Sequence, residues 1–152
     1  MKNSIFDVAN YVLSKESMTH KKLQKISFYI YTWSLIHFRE KVIDTSFQAW
    51  VHGPVSPELY LKYKGYGYDK INGVISSNLP NNLKSIADKV LKFYKNYTGN
   101  EMEIKTHLED PWKIARKGAL KYQATNNPIS EELLISYYSN ISDEKKYIIG
   151  DL

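Results

Sequence analysis

The stretch on which the fold turns is Thr19-His20-Lys21-Lys22-Leu23-Gln24-Lys25-Ile26-Ser27-Phe28-Tyr29-Ile30-Tyr31-Thr32-Trp33-Ser34-Leu35-Ile36-His37-Phe38-Arg39. Thr19 is an N-cap residue type, because its hydroxyl can accept from the free N–H groups of a first helical turn. The apolar positions Leu23, Ile26, Phe28, Tyr29, Ile30, Trp33, Leu35, Ile36 and Phe38 occupy nearly the whole circumference of a helix. A helix that is apolar all round is a buried one. The sequence therefore predicts a mainly α fold, one helical domain over residues 1–152, arranged around a central helix at about 19–39.

Upstream, Ile5, Val8, Ala9, Val12 and Leu13 follow the i, i+3, i+4, i+7, i+8 spacing of a single helical face, with Asn3 or Ser4 as cap. Downstream, one or two short β segments are expected near 42–51, where Phe47, Ala49 and Val51 alternate with Ser46, Gln48 and Trp50. Gly53-Pro54 reads as a turn, and Pro57 suits the first turn of a short helix to Tyr63. Lys64-Gly65-Tyr66-Gly67-Tyr68 reads as a loop, and residues 72–82 as a polar connection. Leu83, Ile86, Ala87, Val90, Leu91, Tyr94 and Tyr97 trace an amphipathic helix that Gly99 is expected to stop. A short helix to about His107, another from Pro111, and a last one capped by Ser130 complete the reading.

Composition narrows function. The 152 residues contain no cysteine, which excludes disulfides, thiolate nucleophiles and cysteine-ligated zinc and suits a reducing cytoplasm. Asp7 interrupts the N-terminus before an apolar run builds, so no signal peptide is expected, and no membrane span is expected because the best apolar stretch, Ile26 to Phe38, falls short of the roughly 18 residues needed. The net charge of +5 is uneven, with ten basic against six acidic residues in 1–76 and eleven against ten in 77–152. Such mild basicity serves solubility, or attracts nucleic acid through Lys21, Lys22 and Lys25. Thirteen Tyr and three Trp exceed what a small core needs, and these residues favour protein interfaces or base stacking.

No catalytic motif is present. His20, His37, His52 and His107 lack metal-ligand spacing, and His107-Leu108-Glu109 matches half of a zinc deaminase signature without its cysteine pair. A hydrolase built on His52 or His107 is the weakest reading, so no enzyme, no cofactor and no metal are expected. Two proline-bearing corners stand out instead. Trp50-Val51-His52-Gly53-Pro54-Val55-Ser56-Pro57 is either a rigid strand-to-helix corner or a scaffold presenting Trp50 and His52 to a partner. Thr106 to Arg116 has the same character, with His107, Pro111 and Trp112 pinning a turn and Arg116 placed to pair with Glu109 or Asp110. Tyr60, Tyr63, Tyr66 and Tyr68 interleave with Lys62, Lys64 and Lys70 on the glycine loop, a pattern suited to a protein hot spot or to single strands.

Those segments, with Leu23 to Tyr31, Ala49-Trp50, Gly53-Pro54-Val55, Tyr60, Lys64-Gly65-Tyr66-Gly67, Thr106-His107, Pro111-Trp112 and Ala115-Arg116, resemble the Panacea domain of SocA-like antitoxins, including phage-associated proteins, over roughly residues 5–140. The resemblance implies a mostly helical fold, a place in a toxin–antitoxin pair, and neutralisation of a cognate toxin by direct protein binding, with a protease as a possible further partner. It supplies no catalytic residues, and no DNA-binding segment is seen beside the domain. The candidate contact residues are Trp50, His52, Tyr60, Tyr63, Tyr66 and Tyr68, with Gly53, Pro54, His107, Pro111, Trp112 and Arg116 as the structural motif. The alternative is a phage-associated nucleic-acid-binding or protease-adaptor protein.

Overall fold

In the computed structural model, which describes residues 2–75 and 78–150, the central helix is α2, His20–Phe38, and every residue from Leu23 to Leu35 is buried. Thr19 caps it, its hydroxyl accepting from the Lys22 N–H at 3.3 Å, and Arg39 ends it in the left-handed region at φ 57°. Before it comes α1, Ile5–Lys15, capped by Ser4 and buried along Ile5, Val8, Ala9, Val12 and Leu13. Both helices stand where the apolar periodicity places them.

The β segments are two small pairs. Strand β1 (Asn3–Ser4) runs parallel to β2 (Ile43–Asp44), tying the entry of α1 to the exit of α2. Strands β3 (Gln48–Trp50) and β4 (Gly53–Val55) form an antiparallel hairpin that turns at Val51-His52 and pairs Trp50 with Gly53. Gly53-Pro54 is thus the first part of a strand rather than the turn itself. Pro54 fits there because β4 is an outer strand and needs no donor at that position. On the far side of β3 lies the 127–129 segment, bonded from Ala49 N–H to Asn127 O and from Ile129 N–H to Phe47 O, each at 2.8 Å.

Helix α3, Pro57–Tyr63, begins at Pro57 as expected and runs into one 3-10 turn, Lys64–Tyr66. Ser76 and Ser77 of the expected polar connection lie outside the described residues, and Ile71, just before that connection, pairs with Met18. Helix α4, Asn81–Phe93, buries Leu83, Ile86, Ala87 and Val90 but stops before Tyr94 and Tyr97. Gly99 does not stop it. Thr98 and Glu101 form a capping box, so Gly99 opens α5, Gly99–Leu108. Helix α6 is Asp110–Ala115, with Pro111 in its first turn.

The expected last helix is two: α7, Glu131–Tyr138, capped by Ser130, and α8, Ser142–Ile149. A buried polar cluster holds them to the core. Tyr29 and Tyr138 donate to Glu109, Tyr94 donates to Glu144, and Lys105 pairs with Glu109 at 2.6 Å and with Glu144 at 3.2 Å. Tyr29 stacks on Tyr94 at 4.7 Å between ring centroids. Several of the surplus tyrosines are therefore core residues whose hydroxyls meet buried carboxylates. Helix α2 packs against α1, α3, α4, α5, α7, α8 and β4, and among the described residues no helix is long and apolar enough to cross a membrane.

A candidate partner-binding cavity

The two proline corners meet. Trp112 of α6 donates its indole N–H to Trp50 O at 2.7 Å, joining the second corner to the hairpin. Arg116, 4% exposed, reaches the same hairpin: its guanidinium donates to Ala49 O at 3.2 Å, Leu120 O at 2.8 Å and Gln123 O at 2.6 Å. It also lies over the Trp112 ring at 4.8 Å. The expected pairing of Arg116 with Glu109 or Asp110 is not made, because Lys105 takes Glu109 and Lys113 takes Asp110. A planar fork with several donors suits backbone carbonyls of a loop, which is where this arginine is used. His107 stacks on Trp112 with centroids 3.9 Å apart. His107, Pro111, Trp112 and Arg116 together form a structural corner.

The first corner is fastened to α2. Gln24 donates from Nε2 to Ser56 O at 3.1 Å and accepts from Ser56 N–H at 2.9 Å, a two-bond clamp on the strand exit. One residue further, the Lys25 side chain passes across Gly53. A Cβ at position 53 would stand 2.6 Å from Lys25 Cε and 3.0 Å from Thr106 Oγ1, and Gly53 has φ +110°. Glycine is required there twice over, by its backbone angle and by the close approach of the lysine.

Above this floor opens a cavity of about 760 Å³. Its lining brings together His20, Lys21, Gln24 and Lys25 from α2, Trp50 to His52 and Val55 from the hairpin, and Tyr60 and Tyr68. The start of α5 and Ala124-Thr125 complete it. Trp50 and Tyr60 pack edge to face at 4.9 Å, and His20 stands 6.0 Å from Tyr60. His52, with its side chain 72% exposed, reaches Glu103 at 3.3 Å, and Lys21 pairs with the same carboxylate.

Four of the six expected contact residues therefore share one site: Trp50, His52, Tyr60 and Tyr68, the last fully exposed. Tyr63 does not belong with them. It is 5% exposed, inside the core, because its position on α3 faces α1, where its hydroxyl points to Asn10. Tyr66 is exposed but lies outside the lining.

Lys25 is the residue that the sequence places wrongly. The sequence sets it with Lys21 and Lys22 on a basic surface, yet it is 1% exposed, and Lys22 is paired with Glu16 at 3.0 Å. A lysine within a helix that is otherwise apolar all round was the available signal. Burial pushes its amine down from 10.5 to about 7, against the pull of Glu103 and with the help of Lys21. Burial also lowers His20, with Lys25 adding to the effect, and lowers His107. Burial works to raise Glu103, but Lys21 and His52 outweigh it and hold the carboxyl low.

Chemically, the arrangement offers apolar contact area beside hydrogen-bond donors. Aromatic and aliphatic walls stand over cationic groups, and among the described residues no three His, Asp or Glu side chains gather as a metal site. A recess with aromatic walls and a few convergent polar groups has the form of a candidate site in a helical domain. The family model of the SocA-like antitoxin Panacea domain matches residues 23–113, and the chain belongs to that family. The match runs from α2 into α6, taking in the first corner and the second as far as Lys113 but not Arg116, and it is shorter than the span of the sequence resemblance. No curated protein and no solved structure matches the chain.

Proposed function

We propose that this chain is the antitoxin of a toxin–antitoxin pair, acting in the cytoplasm of a bacterium or of a phage-infected cell. It neutralises a cognate protein toxin by binding it directly. The observation that carries the reading is the clustering of Trp50, Tyr60, Tyr68 and His52 at one cavity in a chain of this family. Large rigid aromatics around a recess are what a hot spot requires, and neutralisation by obstruction requires no chemistry of the binder, only about 800 Å² of covered surface per partner. The chain accordingly acts without catalysis or cofactor.

The single-domain organisation belongs to the same proposal. It is supported by one apolar cluster that includes Ile5 at one end of the chain and Ile148 at the other. The nucleic-acid alternative gains little support, since Lys25 is buried and Lys21 and Lys22 are both paired with carboxylates.

The experiment is co-expression with the protein encoded beside this chain. If that neighbour stops growth alone, and this chain restores growth and co-purifies with it, the reading stands. A harmless neighbour, or rescue without a complex, overturns neutralisation by direct binding.

A further inference from the structure

The floor of the cavity holds a group with unmet bonding capacity. An ammonium has three donors, yet among the described residues Lys25 Nζ has one hydrogen bond, a long one of 3.4 Å to Pro54 O. Among the described residues no carboxylate pairs with it directly, Glu103 being occupied by Lys21 and His52. Packing alone does not call for a lysine here, because a methionine would fill the same volume with no polar end to satisfy. The hairpin nevertheless makes room for it, with a glycine where any side chain would strike Cε. His20 contributes a second unmet group, its buried Nδ1 having no hydrogen-bond partner among the described residues.

The surroundings define what would meet that capacity. Lys25 and His20 supply the unmet polar groups at one side of the cavity, Lys21 and His52 being engaged by Glu103, while Trp50, Tyr60, Val51 and Val55 supply its apolar walls. The occupant therefore carries an anionic end on an apolar stem. A phosphate is better served by an arginine fork or a row of backbone donors. No arginine lines this cavity, Arg116 being turned to the carbonyls of the 120–123 loop. A carboxylate on a short chain matches a single ammonium at the base of an aromatic recess.

We propose that the cavity receives an Asp or Glu side chain of the protein partner, flanked there by an apolar residue, and that Lys25 forms the ion pair with it. The proposal rests on the partner-binding reading above and names the chemistry of that same site. Such a pair forms out of water, so losing one member costs far more than losing an exposed pair. Trp50 and Tyr60 take the apolar flank, and Tyr68 stands exposed at the rim.

Two measurements test it. In the first, the ¹⁵N-labelled chain is titrated with acetyl-Phe-Glu-amide and with acetyl-Phe-Gln-amide. The acidic peptide is expected to shift the Trp50 indole and Gly53 amide signals and to bind at least about tenfold more tightly than the amide peptide. In Lys25→Met the difference between the two peptides disappears. Equal shifts from both peptides, no shift from either, or a preference that survives Lys25→Met would overturn the carboxylate site.

In the second measurement, the complex with the protein encoded beside this chain is assembled with wild type and with Lys25→Met. The variant is expected to bind about 10- to 100-fold more weakly while melting no lower than wild type. Equal affinity overturns the ion pair and leaves partner binding intact. If wild type itself forms no complex, the antitoxin reading fails and the peptide titration alone decides the cavity.

Discussion

Replacing Lys25 by methionine should make the protein more stable, and the size of the gain follows from the burial of the amine. The substitution keeps an unbranched stem in the space over Gly53 and removes the charge. In the unfolded chain the amine holds its proton to about pH 10.5, whereas in the folded chain it releases it near 7. The unfolded state therefore binds more protons across the interval between, and wild-type stability rises with pH there, by at most about 1.4 kcal/mol per unit. Summed over the interval, an upper bound of about 5 kcal/mol separates wild type from a chain without the buried amine. Part of that is offset by the lost hydrogen bond to Pro54 O and by the attraction of Glu103. The expected gain for Lys25→Met is about 2–4 kcal/mol at pH 7.

The advantage should shrink by about 2–3 kcal/mol between pH 7.5 and 9.5, because the folded amine is then largely neutral while the unfolded one still holds its proton, so wild-type stability climbs toward that of the variant. The groups facing Lys25 do not confuse this window. His20 and His107 are held below 6.5, Glu103 is held low, and Lys21 is on the surface in an ion pair. The buried phenols of Tyr29, Tyr94 and Tyr138 are pushed above 10 and keep their protons throughout. Urea unfolding of both proteins at pH 7.5, 8.5 and 9.5 is the assay. A variant less stable than wild type at pH 7.5, or parallel profiles, would refute the reasoning. A residue that lowers stability while sitting in a recognition cavity fits the exchange of stability for function seen at binding sites.

Three further outcomes are expected. Gly53→Ala should cost about 2–4 kcal/mol in unfolding experiments, since the new Cβ meets Lys25 and Thr106 at a backbone angle that alanine avoids. A loss below 0.5 kcal/mol, roughly the level of an ordinary surface substitution, would contradict the close approach. Arg116→Ala should cost about 2–4 kcal/mol, and Arg116→Lys should recover less than half of it, because an ammonium cannot serve carbonyls on both the hairpin and the 120–123 loop; full recovery by lysine would show that the charge alone matters. Tyr68→Ala should leave the melting temperature unchanged, given full exposure of the ring. It should weaken partner binding by about 1–4 kcal/mol in calorimetry, and unchanged affinity would remove Tyr68 from the interface.

The helices were legible because their ends carry their own chemistry. Ser4, Thr19 and Ser130 each cap a helix from the expected position, and Pro57 and Pro111 start the short ones. The central place of α2 followed from its lack of a polar face. Pairings between distant segments were not legible. Nothing local in Gly53-Pro54 says that it lies beside Trp50 as a strand, and nothing in Thr125 says that it borders the same cavity as Thr19. Gly99 misled because a glycine after an apolar run resembles a helix stop, while the capping pair Thr98 and Glu101 that makes it a start spans it. The aromatic half of the candidate site could be found from residue type. The cationic half could not, because whether Lys25 faces water or the core depends on a hairpin thirty residues away.

If the cavity is the contact surface, amide hydrogen exchange of the chain alone and with its bound partner will show it. Protection is expected to rise in the partner complex at residues 19–25, 48–56, 66–68 and 98–100, where α2, the hairpin, the tyrosine loop and the start of α5 enclose the recess. Protection confined instead to the outer faces of α5 and α6, around the exposed Ile104, Leu108 and Ile114, with no change at the hairpin, would contradict it.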